Sequence, residues 1–399
     1  MSADPTRWHG CCYGFESERD AWESPRLVVN SALTARPDYE SMTASEYLDT
    51  EVVLRAKAAA LVRLLSSARK CVLFTGAGLS TSAGISDYAS QAEESLSGVG
   101  GSGTTAPRSP MLAQPTHAHR VLVALWKAGH VFRWIQQNHD GLPQKAGLPQ
   151  EAINEIHGAW HAPDNPVIPM SGKLRDDLFG DMVDCAETAD LTLALGTSIA
   201  GMNADRAVTS PAARAARGEA LGSVIVGFQQ TSQDRESTLR VFAGCDALLA
   251  LVAELMNLDV PAALPEGEYF VPACLQGKSE DDFVFAGLRY NAAGTRSEGA
   301  ALTLDLRDDA ELVITSGMHA GACGMVYGYD REGNVRCRFK LKPERGKLRA
   351  QVAMVLGRWW IQAAVDGTVP LLPVVNPPAE CTPENGGVWL RDLMEAYAD

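Results

Sequence analysis

The chain contains no Cys-x-x-Cys pair, although nine cysteines are scattered through its 399 residues. An odd number without paired spacing fits neither a disulfide framework nor a tetrathiolate zinc site, and it points to a reducing compartment. No apolar stretch approaches the roughly 20 residues that span a bilayer. The start, Met-Ser-Ala-Asp-Pro-Thr-Arg, lacks an apolar run behind a positive end. An intracellular protein, cytoplasmic or nuclear, is therefore expected, with no membrane partner. Basic residues are also short, 35 against 49 acidic, for a formal charge of −14. That balance argues against general polyanion binding and leaves room for a local basic face. What the chain does have is 46% hydrophobic residues, enough for a proper core, and length enough for more than one domain.

The most informative stretch runs from Cys71 to Tyr88, CVLFTGAGLSTSAGISDY, where an apolar run breaks directly into small residues. Cys71 to Phe74 have strand propensity. Gly76 and Gly78 permit close backbone approaches, and Ser80 is placed to cap a following helix whose N–H groups would face an anion. Strand, glycine turn and helix start together suit the crevice where doubly wound sheets bind nucleotides. Gly-Ala-Gly lacks the third glycine of the usual dinucleotide fingerprint, so a plain structural turn also fits these residues.

Around this stretch the chain alternates helix and strand. Residues 1 to about 43 read as an extended arm without periodicity. Apolar residues from Leu48 to Leu65, Val52 and Val53 among them, recur at helical spacing, with Thr43 or Ser45 as the expected cap. After Tyr88 a Gly- and Ser-rich run to about residue 110 reads as a mobile loop beside the turn. Thr116–Lys127 has an amphipathic helical pattern closed by Gly129, and Val131 to Gln136 reads as a strand ending in the polar cluster Gln137-Asn138-His139-Asp140-Gly141-Leu142. Strands are expected at Ile153 to Ile156, Leu191 to Leu195 and Val224 to Phe228, and Asp246 is expected to cap a last helix, Ala247 to Met256. Such alternation predicts a parallel sheet with both faces covered.

Seven pieces in order carry a family resemblance: GAGLSTSAGIS with Asp87 and Tyr88, PTHAH at Pro115 to His119, Gln137 to Leu142, Glu155-Ile-His157-Gly158, Phe179-Gly180-Asp181, Gly196-Thr197-Ser198, and VIVGFQQTSQD at Val224 to Asp234. Over about residues 45 to 260 the chain resembles the sirtuins, NAD-dependent protein deacylases and ADP-ribosyltransferases. The resemblance implies a Rossmann-like parallel sheet of sirtuin type, with NAD as cofactor. Gly76, Ala77, Gly78 and Ser80 would then form the pyrophosphate cradle, with Asp87 and Tyr88 beside it. Gln137, Asn138 and Asp140 would hold ribose and carboxamide, and Gly196, Thr197 and Ser198 would line the phosphate and ribose side. Gly227 and Phe228 would reach the adenine end, and His157 would be the general base, with Asn138 and Asp140 beside it in the catalytic set. Histidine is the side chain that ordinarily titrates near neutrality, which suits that task.

The chain also departs from the family pattern. Ser86-Asp87-Tyr88-Ala89 stands where Pro-Asp-Phe-Arg is usual, Pro143 replaces a histidine, and Gly227 replaces an asparagine. No cysteine occurs from Gly158 to Phe179, so the family's zinc module is missing, and about 158–180 reads as a reduced irregular small lobe without metal. His157-x-x-x-His161 has the spacing of a helical metal pair, but Gly158 and Pro163 argue against a helix. Three functions stay open: protein deacylation by transfer of ADP-ribose to an acyl-lysine; ADP-ribosyl transfer to another acceptor or NAD hydrolysis; and a catalytically weak module that senses NAD or ADP-ribose.

The expected organisation is an N-terminal arm (1–43), a catalytic domain (44–262) and a C-terminal β-rich module with tail (263–399), an SH3-like barrel or sandwich. In that module Asp330 to Asn334 reads as a hairpin turn, followed by a strand in which Val335, Cys337, Phe339 and Leu341 alternate with Arg336, Arg338, Lys340 and Lys342. Asp330 to Arg349 holds eight basic and three acidic residues, which suits either a solvated face or an acidic partner at Arg336–Lys342.

Overall fold

In a computed structural model of the chain, residues 4–35, 42–87, 95–96, 110–169, 172–263, 283–341, 351–378 and 385–396 are described. The N-terminal stretch is not simply extended. It forms α1 (Thr6–His9), α2 (Glu16–Asp20) and β1 (Arg26–Val29), each too short to leave a periodic signal. Backbone N–H groups of Cys11 and Cys12 donate to Ser237 and Thr238, which fastens this stretch to the main sheet's edge.

Next come β2 (Glu46–Leu48), antiparallel to β1, and α3 (Glu51–Ser67). The helix starts later than its apolar pattern suggests. Tyr47 N–H donates to Phe228 O and draws residues 46–48 into a strand, so Thr50 becomes the cap, its hydroxyl accepting from Val53 N. Val52 is left exposed and Lys57 is turned inward. Then follow β3 (Cys71–Thr75), α4 (His117–Lys127), β4 (Arg133–Gln136), α5 (Leu142–Lys145), β5 (Ile153–Glu155), α6 (Asp176–Thr188), β6 (Leu191–Leu195), α7 (Arg206–Ala215), β7 (Gly222–Val226), β8 (Leu239–Val241) and α8 (Cys245–Leu255).

Strands β3 to β8 form one parallel, Rossmann-like sheet in the order β5-β4-β3-β6-β7-β8. Alternate residues serve opposite faces. Leu73, Leu193 and Val224 join α3, α4 and α8 in one core, while Val72, Phe74, Ala194 and Ile225 join α6 and α7 in the other. The chain starts in the centre at β3, moves outward to β5, and returns to lay β6 on the other side of β3. Such a reversal opens a crevice at the carboxyl ends of the strands.

The C-terminal part is antiparallel. It comprises β9 (Val284–Leu288) paired with β10 (Leu302–Asp305), and a five-stranded sheet of β11 (Glu311–Ile314), β12 (Cys323–Tyr329), β13 (Val335–Lys340), β14 (Gln351–Leu356) and β15 (Val374–Val375). α9 (Arg358–Asp366) packs into its core through Ile361, Ala363 and Ala364, an addition to the all-β expectation. α10 (Gly386–Ala396) lies near the end. On β13 the expected alternation holds: Val335, Cys337 and Phe339 are buried, and Arg336, Arg338 and Lys340 are exposed. The expected strand at Tyr269 to Pro272 and most of the Gly- and Ser-rich run after Tyr88 lie outside the described residues.

Two charged groups are locked inside the main domain. Lys57 Nζ donates to both oxygens of Asp49 at 2.8 Å, and Asp49 also accepts from Phe242 N at 2.9 Å. Burial pushes Lys57 down to about 8. Replacing Lys57 by methionine leaves a buried carboxylate without its cation, so we expect a loss of about 3–5 kcal/mol of stability. Guanidinium unfolding followed by circular dichroism checks it; a loss under about 1 kcal/mol would assign the pair little weight.

Candidate functional site: a crevice at the strand ends

The crevice is formed by backbone pressed on backbone. Gly76 N–H donates to Leu195 O at 3.0 Å and Gly78 N–H to Gly196 O at 2.9 Å, tying the end of β3 to the end of β6. A Cβ at Gly76 would lie 2.7 Å from Gly196 O, one at Gly78 2.9 Å from Gly196 Cα, and Gly196 itself has φ of +62°. These glycines are needed for the contact between the two strand tips.

The turn does not lead into a long helix. It continues as two short 3-10 turns, Ala77–Leu79 and Thr81–Ala83, with Ser80 between them, its backbone N–H donating to Ala77 O and its side chain capping neither. Its buried hydroxyl instead donates to Asp140 Oδ2 at 2.7 Å. Asp140 Oδ1 accepts from Gln136 Nε2 (3.2 Å) and Leu142 N (3.0 Å), so this carboxylate is a clamp between the glycine turn and the end of β4. Asn138 Nδ2 donates to Gly76 O (3.0 Å) and Ser80 Oγ (3.1 Å), and Gln137 Nε2 to Thr197 Oγ1 (2.9 Å). Asp246 sits inside α8, which Gly244 begins. Its carboxylate holds Ser82 Oγ and Ala118 N, each at 2.6 Å, in place of the expected capping of its own helix.

These contacts border a cavity of about 790 Å³. Gly76, Ala77, Gly78, Asp87, Gln137, Asn138, His157, Gly196, Thr197, Ser198, Gly227 and Phe228 all line it. Ser80 and Asp140 lie behind the wall rather than on it, and Tyr88 falls outside the described residues. Two motif pieces lie elsewhere. Phe179-Gly180-Asp181 belongs to α6, where Asp181 Oδ2 accepts from Arg133 Nε and Asn154 Nδ2. In PTHAH, Thr116 caps α4, while His119 is buried, stacked on Trp134 and pushed down to about 4 by burial.

His157 is half-buried on the cavity wall, and Ile168 N–H donates to its carbonyl at 3.2 Å. His161 points elsewhere, packed 5.0 Å from the Trp359 ring and pushed down to about 3, first by burial. Among the described residues no group of three or more His, Cys, Asp or Glu side chains is arranged to hold a metal.

The sequence did not single out Arg240. This buried arginine pairs with Asp234 at 2.7 Å, and its Nη1 donates to the carbonyls of Ile225 (3.3 Å), Gly227 (3.1 Å) and Val241 (2.5 Å), with Nη2 on Gln229. It therefore fixes the loop after β7 that forms one end of the cavity. An apolar wall of Val167, Ile168, Leu174 and Met202 was also not foreseen.

No protein-family profile matches the chain. It is 28% identical over 256 residues to "NAD-dependent protein deacetylase SRT1" of Arabidopsis thaliana, covering 54% of this chain and 53% of that one. It is 27% identical over 300 residues to "NAD-dependent protein deacetylase sirtuin-7" of Homo sapiens, covering 62% and 73%. Over more than half of its length the chain is thus similar in sequence to sirtuin deacetylases. A further sirtuin relative, "NAD-dependent protein deacetylase Sirt6" of Drosophila melanogaster, is 35% identical over 126 residues, 32% of this chain and 40% of that one. The chain spans about half the length of the SRT1 proteins it matches. A solved chain, "Structure of Sir2Tm bound to a propionylated peptide", is 24% identical with a TM-score of 0.41, covering 50% of this chain and 99% of that one.

Below the crevice, Glu155 is buried at the end of β5, with Oε2 accepting from Gln150 Nε2 at 3.3 Å. Burial raises it to about 7 from 4.5. Between those values the folded protein holds a proton that the unfolded chain has released. Its stabilising contribution is thus complete below pH 4.5 and is lost as pH rises through 7. Glu155→Gln, neutral throughout, should raise stability at pH 8 by on the order of 3 kcal/mol and flatten the slope between pH 4.5 and 7. Thermal melts across that range check it, and unchanged slopes would contradict it.

Proposed function

We propose that the chain is an NAD-consuming, sirtuin-like enzyme that cleaves the nicotinamide–ribose bond and transfers ADP-ribose to an acyl-lysine, removing the acyl group from a protein. The observation that carries this reading is the gathering of the glycine turn, the Gln137–Asn138 pair, His157 and Gly196–Ser198 on one cavity of about 790 Å³. That volume suits a dinucleotide-sized ligand. At Gly227 an added Cβ would meet no atom within 4 Å, which leaves the floor open there.

Bound NAD would supply a glycosidic bond to a good leaving group. Gly76 to Gly78, with Thr197 and Ser198, would hold its phosphate side, and Gly227 and Phe228 its far end. Asn138 spends its amide on Gly76 and Ser80, and Asp140 locks Ser80, so both act by keeping the turn in shape. His157 would take the proton from a ribose hydroxyl as that oxygen becomes a nucleophile.

Transfer to another acceptor, or to water, is the second reading. Support for it comes from the short segment after His157, one side of which is covered by the C-terminal part through His161 and Asp164. An extended peptide then has less surface to pair with. We further propose the division into residues 1–43, 44–262 and 263–399 and an intracellular setting. Among the described residues no helix is long and apolar enough to cross a membrane.

Nicotinamide release, measured with and without an acetyl-lysine peptide, tests the reading. Release that depends on peptide supports deacylation, release without it supports transfer or hydrolysis, and NAD binding without release points to a sensor. His157→Ala should reduce release by at least about 100-fold while sparing NAD binding, and full activity would remove it as the base.

We also propose that an acidic partner docks on Arg336, Arg338 and Lys340, which project from one face of β13, with Arg338 4.8 Å from the Tyr327 ring. Fluorescence anisotropy with a polyglutamate peptide should show binding that weakens with salt and with the triple change to serine. Binding indifferent to both would reject the face.

A further inference from the structure

The segment that carries His157 has little regular structure of its own. From Ile156 to Pro169 it is a series of turns. Asn165 grips it on both sides of His157: its Nδ2 donates to Glu155 O at 2.9 Å, and its own carbonyl accepts from Ala159 N at 2.8 Å. The neighbours of Asn165 are held by Arg175 and by the C-terminal part of the chain. Ser316 Oγ donates to Asp164 Oδ2 at 2.8 Å, an oxygen that also takes Arg175 Nη1 at 3.1 Å. Gly317, with φ of +75°, packs so closely on the Asp164 carbonyl that a Cβ would overlap it. Gly357 N–H donates to His161 O at 2.9 Å.

A third contact bears on α5, earlier in the chain than this segment. The turn between β12 and β13 carries Glu332 into the main domain, where it pairs with Lys145 at 3.0 Å, both side chains almost wholly buried. Lys145 also donates to the carbonyls of Met111 (2.7 Å) and Ala113 (3.2 Å). It ends α5, the helix that begins two residues after Asp140. Three loops of the C-terminal part thus bear on the two stretches, 138–145 and 155–165, that shape the crevice around His157.

We infer that Ser316, Gly317 and Asp164 are positioning residues for His157, so that the C-terminal part completes the reaction centre without touching it. The inference rests on the reading of His157 as general base. A shift of Asp164 moves Asn165, and Asn165 sets the backbone on either side of the histidine. The cradle for NAD, built from the ends of β3 and β6, does not use these contacts. Disturbing Asp164 should therefore slow chemistry and leave cofactor binding alone, because misplacing a reacting group by about 1 Å can cost on the order of 100-fold in rate.

The experiment uses the full chain with Ser316→Ala, Ser316→Thr and Gly317→Ala, measuring nicotinamide release, the dissociation constant for NAD and the melting temperature. We expect Ser316→Ala to lower kcat roughly 10-fold and Gly317→Ala roughly 100-fold, with NAD affinity within about twofold of the parent. Ser316→Thr, which keeps the hydroxyl, should recover most of the rate. If Gly317→Ala does not fold, the two Ser316 variants decide. An unchanged kcat in Ser316→Ala, or equal losses of rate and NAD affinity, would overturn the positioning role. A parent protein that binds NAD and never releases nicotinamide would instead overturn the functional reading beneath it.

Discussion

The crevice depends on one close approach, that of the backbone after β3 to the backbone after β6. Two hydrogen bonds of 3.0 and 2.9 Å fix it, and three glycines make it sterically allowed. A side chain at any of them would drive the strand ends apart. Ala77, Thr197 and Ser198, which line the cavity on that side, flank this contact. The second tier is polar and runs from the interior to the surface: buried Asp140 holds buried Ser80, half-buried Asn138 holds Gly76, and Asp246 holds the exposed Ser82. Such a network is costly if left half-made, so each member restricts the others.

The far end of the cavity is organised differently. There Arg240, sealed in by Asp234 and lying 3.7 Å over the Phe242 ring, gathers carbonyls from the loop after β7. Its positive charge is spent on the protein's own backbone. The cavity wall is consequently shaped by a cation while offering the ligand chiefly amides, hydroxyls and apolar surface.

The placement of residues on the cavity was most legible where a small or polar residue stood at the end of an apolar run. Gly76, Gly78, Asn138, His157 and Thr197 could be read that way, and so could the strands that carry them. Short elements without a full period could not: α1, α2 and β1 span four or five residues each, and β14 shows only partial alternation. Context shifted other expectations. Leu48 has a helical neighbourhood in sequence, yet pairing with the segment at Phe228 makes its stretch a strand. Arg240 and Lys145 are of types normally solvated, and nothing local distinguishes a buried one. Their partners decide, and those are visible only in three dimensions.

The pair between Lys145 and Glu332 joins residues 187 positions apart. Ribosomes extend chains at roughly 5–20 residues per second, and domains tend to fold from the N-terminus onward. The sheet and its glycine turn can thus form while the last third is still being made. The stretch around His157 must wait for that third to emerge and dock. A chain lacking residues 316–357 would hold the joined ends of β3 and β6 beside a stretch around His157 that is without its contacts to Ser316, Gly317 and Gly357.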